Sequence, residues 1–254
     1  MTQQAISAAP LPVSVEDRPH WRLVIRPGIY DPHRLGSASE CWRTIAGLSI
    51  GWRGWDFPHI DEDPRNQRTD NTSISSWIDW GHHLEYWRFY ESGQFLWKGA
   101  FWEDRMELDA GTIVSSLRGA PPSFLPSGVL DTFGCVYHLT EFFEFASRLA
   151  LRGILDETGV VEVSMCGVRD RVLMHLDRPH FPQTFRKADA DTLDREWPAA
   201  GFAVAPRAHA AALDAAVWFF ERFGWREPDR DALTRIQHEL IDGRGRFAGL
   251  ARGA

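Results

Sequence analysis

Lysine is almost missing from this chain of 254 residues: of its 28 basic residues only Lys98 and Lys187 are lysine, and the rest are arginine. A lysine nucleophile or phosphate-binding lysine therefore has two candidates. Neither sits in a G-x-x-x-x-G-K-[ST] loop, which excludes a P-loop nucleotidase at the level of the motif. Leu96 and Phe185 stand two positions before them, so the acidic-x-Lys strand of a carboxylate–carboxylate–lysine nuclease is missing as well. Cysteine is scarce and scattered, at Cys41, Cys135 and Cys166, with no C-x-x-C pair. That argues against a structural zinc site and for buried, reduced thiols in a cytoplasmic protein. No G-x-S-x-G elbow occurs, and no G-x-G-x-x-G follows a predicted strand. No run of eighteen apolar residues is present, so no membrane span is expected. The first residues, MTQQAISAAPLPVSVEDRP, have no basic start and no continuous apolar core, so a secretory leader is not expected. A basic excess is lacking too: the net charge is −7. This disfavours a nucleic-acid partner, because phosphate neutralisation drives such binding.

What the chain has is ordinary globular composition, 44% apolar and 25% charged, and an excess of tryptophan. Nine of its twelve tryptophans fall between Trp21 and Trp102. Aromatic clusters stack bases, sugars or cations, and more often fill a core or an oligomer interface.

Residues 1–15 lack periodicity and read as a flexible arm, and 244–254 as a loose tail. Between them the spacing predicts one α+β domain over 16–243, with a sub-boundary in the irregular stretch 109–127. Residues 20–26 alternate like a strand. Asp31-Pro32 reads as the start of a helix carrying Leu35, Ala38, Cys41, Trp42, Ile45 and Leu48 at helical spacing. Residues 51–60 read as a strand, 61–75 as a long loop. Residues 76–90 and 94–103 read as aromatic-rich strands joined by a tight turn at Ser92-Gly93. The longest helix is predicted over roughly 129–153. Its apolar residues fall on one arc, with Thr140, Glu141, Glu144, Ser147 and Arg148 opposite. Residues 160–168 and 171–176 read as a hairpin around Arg169-Asp170, 177–201 as irregular and 202–205 as a short strand. Two final helices are predicted over 207–223 and 229–242. The expected fold is thus an aromatic-rich, mostly antiparallel sheet followed by a helical half with a β-hairpin.

The segments RGWDFPHI (53–60), EYWRFYESGQF (85–95) and EFASRLAL (144–151) resemble a bacterial family whose members occur alone or beside a Schlafen-type nucleic-acid-binding domain. The similarity covers most of residues 20–225. The family has no established activity or catalytic residue. The resemblance therefore implies a bacterial, intracellular module of a regulatory or defence-related system, and transfers no site.

Three groups of residues carry candidate chemistry. The first is 53–63, with Arg53, Trp55, Asp56, His59, Asp61, Glu62 and Asp63 at the mouth of a predicted strand and loop. His59 and Asp61 suit a divalent metal, with Asp63 as a third ligand, or a base with its orienting carboxylate. The bland reading is a solvated acidic loop. The second is 79–85: on a strand, Asp79, His83 and Glu85 share one face and His82 takes the other. This suits a metal or a proton-transfer pair, against the bland reading of hydrogen-bonded strand polars. The third is the polar arc of the long helix, His138, Glu141, Glu144 and Arg148, where Glu144 and Arg148 stand at ion-pair spacing.

Missing catalytic motifs and abundant tryptophan together favour a non-enzymatic binding or interaction module. A protein partner or self-association is expected, and no cofactor is named by the sequence. Arg53, Trp55, Asp56, Trp87 and Arg88 are the expected contact residues. The alternatives are a metal-dependent hydrolase or nuclease using His59, Asp61, Asp79, His83 and Glu85, and a single-stranded nucleic-acid or nucleotide binder. The latter would stack bases on Trp52, Trp55 or Trp87, with Arg53 and Arg88 on phosphates.

Overall fold

The computed structural model describes residues 14–81, 83–106, 108–176 and 183–243. Residues 1–13 of the expected arm 1–15, the tail 244–254 and His82 lie outside them. Val15, at the end of the expected arm, is buried against Leu84 and Tyr86. The first strand, β1, is His20–Arg26, as its alternation predicts, and it buries Trp21, Leu23 and Ile25. The first helix, α1, spans Ala38–Leu48 and starts later than Asp31-Pro32 suggests. Ser37 caps it, accepting the Glu40 N–H at 3.2 Å, while Asp31 closes only a local turn onto the His33 N–H.

Residues 51–60 do not form the expected strand. They are a loop pinned by one antiparallel bridge between Ile50 and Phe57, and Gly54 at φ 88° reverses the chain inside it. The predicted loop 61–75 instead contains a 3-10 turn, Pro64–Asn66, the short strand β2, Gln67–Thr69, and the start of β3, Ser73–Asp79. The predicted strand 76–90 is divided. After β3 the chain turns at Gly81, φ 67°, and returns as β4, Leu84–Tyr90. Asp79 Oδ1 accepts the Gly81 N–H at 3.2 Å and the Trp80 N–H donates to the His83 carbonyl at 3.0 Å, which together close the turn. The Ser92-Gly93 turn then leads to β5, Phe95–Ala100.

The stretch 109–127 holds α2, Ala110–Ser116, and β6, Leu117–Arg118. Next come β7, Gly128–Asp131, and the long helix α3, Thr132–Leu151, capped by Asp131 on the Gly134 N–H. Strands β8, Val160–Cys166, and β9, Arg171–Met174, arise where expected but do not pair with each other. β8 joins the main sheet beside β1, where Val161, Val163 and Met165 extend a large core. An isolated hairpin offers no such burial. β9 runs parallel to β7. β10, Gln183–Thr184, pairs with β6, and β11, Thr192–Pro198, forms inside a stretch that reads as irregular. The expected strand 202–205 is instead a turn over 202–204 after Gly201, φ 80°, with Ala205 already helical. Two helices follow, α4, Ala205–Arg222, and α5, Arg230–Ile241.

The fold is α+β. Seven strands in the order β11-β8-β1-β5-β4-β3-β2 make one antiparallel sheet. Strands from both halves of the chain meet at β1. In register across the sheet, Trp21 lies opposite Gly99 and Met165, and Leu23 opposite Trp97, which in turn faces Trp87. This face carries Trp21, Glu85, Trp87, Phe95 and Trp97, and α3 lies on it. Phe142 packs on Trp97 and Trp21, and Phe145 on Phe95. On the other side of α3 lie α4 and α5. The polar arc of α3 is therefore buried: Thr140, Glu141 and Ser147 are at most 1% exposed. Among the described residues, no helix is long and apolar enough to cross a membrane.

Candidate ligand-binding pocket

Where the core face of the sheet ends, between the 51–60 loop and α3, the side chains leave a pocket of about 290 Å³. Its inner wall depends on Trp97 and Gly99, two apart on one strand face. A Cβ at Gly99 would stand 2.3 Å from the Trp97 ring, so only glycine lets the indole fold back over its own strand. Trp55 comes from the 51–60 loop, Trp80 from the β3–β4 turn, and Trp102 from the 3-10 turn Trp102–Arg105 that follows β5. Three histidines also face the space. His59 meets the Trp80 ring edge-on at 5.0 Å, His83 tilts against Trp80 and Trp55, and His138 of α3 stacks on Trp21.

Beneath the aromatic walls lie paired charges. Arg53 binds Glu141 of α3 in a two-pronged ion pair, Nε to Oε1 at 2.9 Å and Nη2 to Oε2. Both are buried, Arg53 at 4% exposure and Glu141 at none. Burial lifts the Glu141 carboxyl above its ordinary range even with the guanidinium beside it. Glu85 accepts the His59 backbone N–H at 3.1 Å through Oε1 and bonds His83 Nε2 at 2.9 Å through Oε2. His138 donates from Nδ1 to the Gly134 carbonyl at 2.9 Å, which leaves its Nε2 as an acceptor. Burial and then Arg53 hold His138 well below the ordinary imidazole value, so its ring is neutral. Beside Trp102, Glu103 accepts the Asp131 N–H at 2.8 Å, and burial pushes its carboxyl up to about 8.

Three buried polar atoms among the pocket-lining residues have no partner: His59 Nδ1, Trp97 Nε1 and Arg105 Nη1. Buried polar groups are nearly always satisfied, so three on residues around one cavity are a local concentration of unmet hydrogen-bonding capacity, beside others such as Glu103 Oε2 and Ser147 Oγ elsewhere. The neutral His138, the indole donor and the cation can together hold and orient a flat molecule. No nucleophile stands among them.

The expected contact residues divide. Arg53 and Trp55 line the pocket, with Arg53 also over the Trp55 ring at 5.1 Å. Asp56 is exposed on the same loop. Trp87 is fully buried: its Nε1 donates to the His59 carbonyl and its ring meets Trp42 edge-on, so it supports the site from within the core. Arg88, one residue on, points to the opposite face of the sheet. There it binds Ser73 and Asp70.

The metal candidates also separate. His59, His83 and Glu85 come together at the pocket. Asp61 instead accepts the Asp63 N–H and the Asn66 side-chain amide, ordering its own loop. Asp79 closes the β3–β4 turn, and that turn removes the single strand face expected to align it with His83 and Glu85. Among the described residues, no three of His, Cys, Asp and Glu are grouped to hold a metal. Trp80, Trp97, Trp102 and Arg105 are absent from the sequence-derived site. The available signal was Trp97-x-Gly99, a large ring two positions before a residue with no side chain. Comparison of the chain with family models, curated proteins and solved structures finds no match.

Proposed function

We propose that this chain is a non-enzymatic binding module and that its ligand site is the tryptophan-walled pocket. The observation that carries the reading is the coincidence of an aromatic cavity with three unpartnered buried polar atoms on the residues that line it. Small-molecule sites combine mostly apolar walls with a few convergent polar groups in this way. In the bacterial regulatory or defence setting that the motif resemblance implies, such a pocket would report a small molecule to a protein partner. The test is a titration with flat aromatic fragments, following the indole N–H resonances. Fragments that bind should shift the Trp97 and Trp80 signals and lose about tenfold or more in affinity in Trp80→Ala. Binding that shifts only indoles away from this pocket, or that Trp80→Ala leaves unchanged, would refute the assignment.

A further inference from the structure

We infer that the pocket selects an aromatic monoanion, a flat body of about two fused rings bearing one carboxylate-like group, with Arg105 as the residue that reads the charge. The inference rests on the pocket being a ligand site and adds the chemistry of the ligand.

A cavity of about 150 Å³ lined by apolar side chains holds benzene. The volume here, about 290 Å³, takes two fused rings with one short substituent. The four indoles supply ring faces and edges for stacking.

The ligand's charge follows from how the arginines and histidines at the pocket are already engaged. Arg53 is neutralised by Glu141. His83 is matched by Glu85. His138 is uncharged. Among the described residues Arg105 forms no salt bridge, Asp79 attracting it and Arg18 repelling it without contact, and its buried Nη1 has nothing to donate to. A bare cation in a partly dry site is costly unless an anion completes it. Trp97 is 2% exposed, and its indole N–H is also without an acceptor. An indole N–H only donates. The unmet donors thus ask for acceptor oxygens, and Arg105, without a salt bridge among the described residues, asks for one negative charge.

The experiment is calorimetric titration of the full chain with three probes of one shape: naphthoate, naphthamide and naphthylmethylamine. Naphthoate should bind about tenfold or more tighter than naphthamide, since a hydrogen bond to a charged group outweighs a neutral one. The amine should be weakest. Arg105→Gln should bring the naphthoate-to-naphthamide ratio close to one and leave naphthamide within about threefold. Arg105→Lys should keep a preference for the acid. Equal binding of acid and amide, or a preference that survives Arg105→Gln, overturns the anion assignment while leaving the pocket as a site. Failure of all three probes at millimolar concentration overturns both. Melting temperatures of the variants separate a lost ligand contact from a lost fold.

Discussion

Two glutamates one turn apart on the same helix have opposite fates. Glu141 faces the pocket loop and is wholly buried. Its ion-pair partner, Arg53, comes from a distant loop, and burial still raises its carboxyl. Glu144 is also largely buried, and burial alone would raise it, but His209 and Arg148 outweigh that. Oε1 takes Arg148 Nε at 2.8 Å and Oε2 takes His209 Nε2 at 2.9 Å, which together hold it below the ordinary value. The network continues outward: Arg148 donates to the Ser49 carbonyl at the end of α1, and Gln237 of α5 donates to Thr140 and to the His209 carbonyl. Around Glu144 the C-terminal half of α3 is thus a charge-compensated joint between helices, the Ser147 hydroxyl alone of its polar arc having no hydrogen-bond partner among the described residues. The N-terminal half, flanked by Glu141 and Glu103, is under-compensated and borders empty space. Buried polar groups that find partners hold a fold together, and those left wanting partners around a cavity describe what the cavity takes.

Glu103 gives the sharpest measure of that contrast. Its folded value of about 8 lies above the ordinary 4.5, so the folded state resists losing this proton. A raised carboxyl penalises folding as it ionises: stability is full below about pH 4.5 and declines as pH rises toward about 8. The integrated loss is on the order of 5 kcal/mol. Urea unfolding at about pH 5, 7 and 9 should show this decline in the native chain and a much flatter profile in Glu103→Gln. A profile with equal slope in both chains would remove Glu103 as the cause. The Arg53–Glu141 pair comes next. Arg53→Met strands a buried carboxylate and should cost about 3–5 kcal/mol, whereas Arg53→Met with Glu141→Leu should recover most of that loss. A double variant as unstable as the single would mean that the pair is not mutually compensating.

The fold was legible where local signals agree with burial. Alternation placed β1, and helical spacing with its caps placed α3, α4 and α5 within a few residues. It failed where one residue redirects the chain. Gly54 and Gly81 adopt positive φ inside segments that otherwise read as strands, the first within a loop that replaces its strand and the second at a turn that divides its strand in two. Both turns deliver site residues, Arg53 and Trp55 in one case and Trp80 and His83 in the other. Pairing was harder still. β8 leaves β9 for β1, a choice made by the whole core and invisible in either segment. The site was half legible for the same reason. Arg53, Trp55, His59 and His83 lie close to polar punctuation and draw notice. Trp97 and Trp102 sit in a stretch that reads as ordinary strand, with Arg105 just beyond it, and only the folded packing brings them to a cavity. The helix arc misled in the other direction, since a polar stripe that suits solvent also suits a second layer of helices when its charges are matched.

The compensated end of α3 yields the smallest expected effect and the cleanest control. Glu144→Gln keeps the shape and removes the charge that Arg148 and His209 share. It should cost about 1–2 kcal/mol, since Arg148 keeps the Leu48 and Ser49 carbonyls as acceptors and the site is not sealed from water. The sign with pH runs opposite to that of Glu103. A carboxyl held below its ordinary value contributes stability above about pH 4.5, and that contribution disappears as acid protonates it in the folded state. The native chain should therefore lose its advantage over Glu144→Gln as pH falls below about 4.5, while naphthoate binding at neutral pH stays within about twofold of native. If Glu144→Gln instead weakened the ligand as much as Arg105→Gln, the two halves of the helix would be one coupled network, and the division between joint and pocket would fail.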